Sequence, residues 1–213
     1  MPSVALAEVP RGPLVTLDET THVYTHVDGH HPPSVTTILG GVPPWRDVYA
    51  QVRPEVLARK AEVGRAVHRA TWLADEDDLD EASVEAEVAP YLAAWRRFRA
   101  EVGFAPVERE RPVFHPQLGY AGCPDAVGHT PQIPRPILVD LKTTDEPAAV
   151  LAGPQTAAYA EAWLAERDET GLVERWSVHL REDGTYRLVT HRDRRDFAVF
   201  KAALEIWTFN ARR

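Results

Sequence analysis

The chain has 213 residues, 44% hydrophobic and 26% charged, with a formal net charge of −8, a composition that fits one globular domain with a full core. No apolar run approaches the roughly 18 residues needed to span a bilayer, and the start, Met1 to Glu8, lacks the basic and apolar regions of a signal peptide, so no membrane partner and a cytoplasmic location are expected. The one cysteine, Cys123, excludes an internal disulfide, a structural zinc site and a four-thiolate iron–sulfur cluster, which leaves oxygen and nitrogen to hold any metal.

In chain order, His22 to His30 alternates and meets Asp28-Gly29, which predicts a hairpin turned at that dipeptide. Ser34 is placed to cap a short helix through Leu39 that Gly40-Gly41 stops, and exposed amides and hydroxyls there could receive a phosphate. A helix follows from Pro54 to Leu73, burying Val56, Val63, Val67 and Ala70, with His68 one turn after Gly64 and with Arg65 and Arg69 as a basic edge beside it. The segment from Asp75 to Glu87 holds eight acids and no base, equal to the whole net charge, and reads as a solvated loop. Elsewhere arginines bunch, so global acidity does not argue against a phosphate partner. A second helix is expected from Ser83 to Glu101, kinked or started by Pro90.

The next stretch, Val107 to His115, reads as extended, followed by a turn at Gln117 to Gly119 and a strand from Tyr120 to Gly128 in which glycine and proline interrupt the ladder before Asp125. A loop over Pro131 to Pro136 leads to the most informative segment, Ile137 to Thr144. Residues two apart on a strand share a face, so Asp140 and Lys142 project together while Ile137, Val139 and Leu141 pack behind them. Only Lys60, Lys142 and Lys201 among the 24 basic residues are lysines, and lysine, unlike arginine, can shift its pKa or release a proton. A helix after Pro147 carries Gln155 and Tyr159 on one face. A hairpin about Asp183-Gly184 and a last helix from Arg194 to Asn210, burying Phe197, Phe200, Leu204 and Trp207, complete an α/β fold with a central mixed β-sheet flanked by helices. Meander order of the three middle strands would bring Glu110, Asp125, Asp140 and Lys142 together.

Taken in order, Gly64-x-x-x-His68, Glu110, Gly122-x-Pro124-Asp125, Asp140-Leu141-Lys142-Thr143 and Gln155-x-x-x-Tyr159 resemble the motifs of the PD-(D/E)XK nucleases. The last motif points to the RecB-like branch, and His22-x-Tyr24 with Pro33-Ser34-Val35-Thr36 resembles its stand-alone phage recombination exonucleases. The resemblance implies a restriction-endonuclease-like core over residues 103–213, an N-terminal hairpin and helical region over 17–102, and a tail over 1–16. It implies that His68, Glu110, Asp125, Asp140 and the Leu141 carbonyl hold Mg²⁺ or Mn²⁺, with no iron–sulfur cluster. Lys142 would activate water, Gln155 and Tyr159 would position it and the DNA backbone, and Ser34, Thr36, Arg65, Arg69 and Tyr159 would contact DNA. Implied partners are DNA, a single-strand annealing protein or helicase, and further copies in a ring.

Phosphodiester hydrolysis needs an activated water and neutralised phosphate charge, and a hard divalent ion held by carboxylates supplies both. An exonuclease acting on DNA ends in recombination or repair is the leading expectation. A defence or DNA-processing endonuclease, a non-cleaving DNA-binding module, a metal-free sugar hydrolase using Asp125 and Asp140, and a structural protein remain alternatives. Trp45 and Trp72 are candidate DNA contacts.

Overall fold

The computed structural model describes residues 12–47, 52–143 and 147–212, and for 147–150 the backbone alone. Met1 to Glu8 and Thr144, named in the sequence reading, lie outside the described residues.

A hairpin opens the chain, β1 (Val15–Asp18) antiparallel to β2 (Val23–His26). Its turn is at residues 19–22, where Asp18 Oδ1 accepts from the Thr20 and Thr21 amides and His22 adopts φ +55°. The expected hairpin at Asp28-Gly29 is therefore displaced, because an Asx turn at Asp18 closes the ribbon earlier. The short helix α1 (Val35–Gly40) is as expected, with Ser34 Oγ accepting from the Thr37 amide at 3.0 Å. Helix α2 (Pro54–Asp75) begins with Pro54 in the first turn, where its missing donor costs nothing, and buries Val63, Val67 and Ala70. Helix α3 (Ala89–Val102) starts at Ala89, with Pro90 in its first turn, rather than at Ser83, since Glu81–Ser83 form a separate 3₁₀ turn capped by Asp80. It ends at Gly103, whose φ of +69° provides the left-handed cap.

Each of the two long strands expected next is split. β3 (Ala105–Arg109) and β4 (Val113–His115) are separated at Glu110, which has φ +42°. β5 (Tyr120–Gly122) and β6 (Ala126–Thr130) are separated at Cys123-Pro124-Asp125. β3 pairs with β6, whereas β4 pairs with β5 as a separate ribbon. β7 (Ile133–Lys142) starts earlier than expected, leaving only a turn at Pro131-Gln132. The remaining elements are α4 (Pro147–Glu166), β8 (Glu174–Leu180), β9 (Tyr186–Thr190) and α5 (Asp196–Ala211).

The central sheet has the order β3-β6-β7-β8-β9 and is antiparallel except between β7 and β8, which α4 connects as a crossover. Both faces of β7 are covered. Ile137, Val139 and Leu141 pack with Trp95, Phe98 and Trp176 beneath α2 and α3. Leu138 faces α1, α4 and α5, where Val35, Ala158, Phe200 and Leu204 pack. Asp140 lies on that second face in an apolar layer, so its charge requires partners.

The acidic segment is not uniformly solvated. The Asp75 side chain is 3% exposed at the end of α2, binds Arg99 and Arg109, and accepts from Trp95 Nε1 at 3.1 Å. Glu81 pairs with Arg96 and Glu87 with Arg59. No helix among the described residues is long and apolar enough to cross a membrane.

Candidate nuclease active site

The site forms where the β3–β6 ladder ends. Arg109 opposite Ala126 is the last rung of that ladder. Immediately beyond it the Glu110 amide donates to the Asp125 carbonyl at 3.1 Å, and the two chains then diverge into the β4–β5 ribbon. Glu110 and Asp125 therefore stand on facing strands at the fork, held by strand geometry and by a left-handed backbone at Glu110 that a non-glycine residue adopts at a cost. α2 brings His68 to the same point, with its Nδ1 2.9 Å from Asp125 Oδ1. Ligand atoms of His68, Glu110 and Asp125 all lie within 4.8 Å of one another.

Asp125 Oδ2 accepts from the Leu141 amide on β7. The amide and carbonyl of one residue in a strand face the same neighbour, so the Leu141 carbonyl looks into the gap that β6 leaves when it ends. Asp140, 5% exposed, lies on the α4 side, its Oδ2 2.8 Å from Lys142 Nζ. Gln155 ties the group together. Its Oε1 accepts from Lys142 Nζ at 3.2 Å, and its Nε2 donates to Asp140 Oδ1 at 3.2 Å and to the Tyr159 hydroxyl at 3.1 Å. The Tyr159 ring is buried against Gly122, where any Cβ would overlap it.

The electrostatics are those of a crowded anionic site. Burial, with Asp125 beside it, raises Glu110 above the usual carboxylate range. Burial also raises Asp140 against the opposing pull of Lys142, and the Asp125 charge adds to the rise. Burial opposes ionisation of Asp125 too, but His68 and the Leu141 amide bring it below its ordinary value. For His68, burial works against the charge, and Asp125, Glu110 and Asp140 together outweigh it and lift the imidazole to about 8. His68, Glu110 and Asp125 cluster within ligand distance of one another, and with Asp140 and the Leu141 carbonyl on neighbouring β7 they make the oxygen-rich donor set that a hard divalent ion takes. The residues present thus fit such an ion.

A sequence profile of the PD-(D/E)XK nuclease superfamily matches residues 45–206, three quarters of the chain and a range that includes His68 to Tyr159. This chain belongs to the PD-(D/E)XK nuclease superfamily. No curated protein sequence matches it. Among solved structures, an alkaline exonuclease (LHK-Exo) from Laribacter hongkongensis is similar at 15% identity and a TM-score of 0.40, over 84% of this chain and 87% of that one. LHK-Exo in complex with dAMP is similar at 13% identity and a TM-score of 0.37, over the same shares of each chain.

Around the nuclease core, Arg65 and Arg69 are exposed on α2 beside His68 and meet no acidic side chain among the described residues. Arg69 stacks over Trp72 at 4.4 Å. Many of the other bunched arginines are neutralised, including Arg59, Arg96, Arg97, Arg99 and Arg195. Ser34 is buried with its Oγ committed to the cap and to the Thr36 and Thr37 hydroxyls, while Thr36 is exposed. Trp45 is half-buried, with its Nε1 donating to the Leu151 carbonyl at 3.0 Å and its ring packing on the core.

Sequence reasoning passed over Tyr24 as more than a motif letter. Its side chain is buried, and burial together with the Cys123 and Asp125 charges raises its phenol far above the ordinary range. Its sequence signals were its alternation with His22 and His26 and its place in the His22-x-Tyr24 motif.

Proposed function

We propose that this nuclease is a Mg²⁺- or Mn²⁺-dependent deoxyribonuclease of the RecB-like branch that degrades DNA from its ends. The observation that supports this most is the bridge from Lys142 through Gln155 to Asp140 and Tyr159, facing His68, Glu110 and Asp125. Glu110, Asp125, Asp140, His68 and the Leu141 carbonyl would hold the ion, which when bound supplies an acidic water and Lewis-acid polarisation of the scissile phosphate.

The chain's own residues do the rest. Lys142 orients the attacking water and offsets charge on the non-bridging phosphate oxygens. Gln155 uses its carbonyl on Lys142 and its amide on Asp140 and Tyr159, so it fixes the distance between ammonium and carboxylate. The Tyr159 hydroxyl accepts from Gln155, which leaves its own proton for a phosphate oxygen of the DNA. Arg65, Arg69 and Thr36 take backbone phosphates flanking the scissile one, with Ser34 holding Thr36 in place. On the same reading the chain works in recombination or repair beside a single-strand annealing protein or a helicase, as a single nuclease domain from about residue 17, and a ring of copies would give processivity.

The test is a time course on end-labelled linear and covalently closed circular DNA with Mg²⁺, Mn²⁺ or EDTA, beside Lys142→Ala. Expected is metal-dependent loss of the linear substrate alone, reduced about 10²–10³-fold by Lys142→Ala. Cutting of the circle would reassign the chain as an endonuclease. No cutting of either by folded, metal-loaded protein would overturn the catalytic reading and leave DNA binding.

A further inference from the structure

Four of the nine histidines fall within ten residues, at His22, His26, His30 and His31. Two of these build a second cluster outside the catalytic one. Gly29, at φ +92°, closes a tight turn after β2, with its amide donating to the His26 carbonyl at 2.8 Å and the His26 amide to the His30 carbonyl at 2.9 Å. The turn returns the two imidazoles to one side, with ring centroids 4.6 Å apart. Both then converge on a single oxygen. Asp28 Oδ1 lies 2.9 Å from His26 Nδ1 and 2.5 Å from His30 Nδ1, and the three ligand atoms lie within 4.8 Å of one another. Phe114 of β4 closes the inner side at 4.6 Å from His26, so the cluster has an apolar floor and a solvent-facing mouth.

We propose that His26, Asp28 and His30 bind one borderline transition-metal ion, of which Zn²⁺ is the natural case, and so tie the loop after β2 to the fold. Two imidazole nitrogens and one carboxylate with an open fourth position form a donor set that suits Zn²⁺, Co²⁺, Ni²⁺ or Cu²⁺ and disfavours Mg²⁺, which prefers oxygen. A tetrahedral Zn²⁺ with bonds of about 2.0–2.2 Å spaces its ligand atoms about 3.3 Å apart, slightly wider than the hydrogen-bonded spacings here. Asp28 is 61% exposed and His30 48%, so both can spread by that amount while His26, 15% exposed against Phe114, stays fixed. Binding at both Nδ1 atoms requires each imidazole to coordinate as the neutral base, with its proton on Nε2. The consequence is a clamp on the N-terminal hairpin, whose buried Tyr24 lies within electrostatic range of Asp125. The assignment does not depend on what the catalytic centre cleaves.

The test is a Co²⁺ titration of the full chain in excess Mg²⁺, followed by visible absorption and by the shift in Tm. It compares wild type, Asp125→Asn/Asp140→Asn and His26→Asn/His30→Asn, each checked for folding by circular dichroism. Expected is one Co²⁺ equivalent in wild type, retained in the Asp125/Asp140 variant and weakened about 100-fold in the His26/His30 variant. If the His26/His30 variant fails to fold, Asp28→Asn serves instead, with the same weakening expected. Undiminished affinity in those variants, loss in the Asp125/Asp140 variant, or no Co²⁺ uptake by wild type would overturn the assignment.

Discussion

A Cβ at Gly122 would lie 2.4 Å from Tyr159 Cε1 and 3.2 Å from Val35 Cγ2, so the smallest possible side chain is what admits the Tyr159 ring. Neither neighbour is the loose end of a flexible chain. Gly122→Ala is expected to cost about 1–3 kcal/mol of stability through overpacking and, by shifting Tyr159 off Gln155, to lower the cleavage rate more than substrate binding. Urea unfolding and a kcat-against-KM split check both parts; unchanged kcat would show that the ring position does not matter. Gly64 contrasts with it. A Cβ there meets only Thr143 Oγ1, at an ordinary 3.5 Å, so packing alone does not require that glycine. Asp140 and Lys142 were legible because strand alternation dictates their common face and apolar neighbours mark the strand. The bridging geometry of Gln155 was not legible, since helical spacing places it beside Tyr159 but says nothing of what faces it across α4.

At the scale of elements, the fork at Glu110 and Asp125 carries the site, and it depends on how α2, α3 and β3 are pinned to one another. Asp75 does this pinning, receiving Arg99, Arg109 and Trp95 from two other elements at 3% exposure. Removing one partner of a buried ion pair leaves uncompensated charge, and Arg109 is itself only 6% exposed. Asp75→Ala is therefore expected to cost about 3–5 kcal/mol, read from the urea midpoint by tryptophan fluorescence. A loss under 1 kcal/mol would mean that Asp75 is solvated, as its place in a run of acids first implied. Local composition misread Asp75 because the run contains no base; the arginines that neutralise it come from 24 and 34 residues further along. The split strands escaped for a related reason. Alternation continues across Glu110, and only pairing with different partners on either side shows the break.

For the whole molecule, two histidines set opposite slopes of stability against pH. Folding raises His68 from 6.5 to about 8, outweighing its burial through Asp125, Glu110 and Asp140. The folded state then holds a proton that the unfolded chain has released, and stability falls as pH rises from about 6.5 to 8. Burial, with Arg175, His179 and Lys142 nearby, lowers His191 from 6.5 to about 4. Between those values the unfolded chain binds the extra proton, and stability falls as pH drops from about 6.5 towards 4. With EDTA present, His68→Gln is expected to flatten the alkaline limb and His191→Gln the acid limb of a Tm-against-pH curve. Limbs unchanged by these substitutions would assign the titrations elsewhere.

The sequence by itself carried the motifs of the PD-(D/E)XK family, and it determined the order of most elements and the mixed α/β class, because these rest on periodicity, capping and turn chemistry, which act over a few residues. It did not determine where the first hairpin turns, that β4 and β5 leave the main sheet, that Asp75 is buried, or which arginines beside His68 meet no acid among the described residues. Those depend on partners far apart in sequence, and only the tertiary structure decides them, because burial and charge pairing are properties of what packs against a residue rather than of what precedes or follows it.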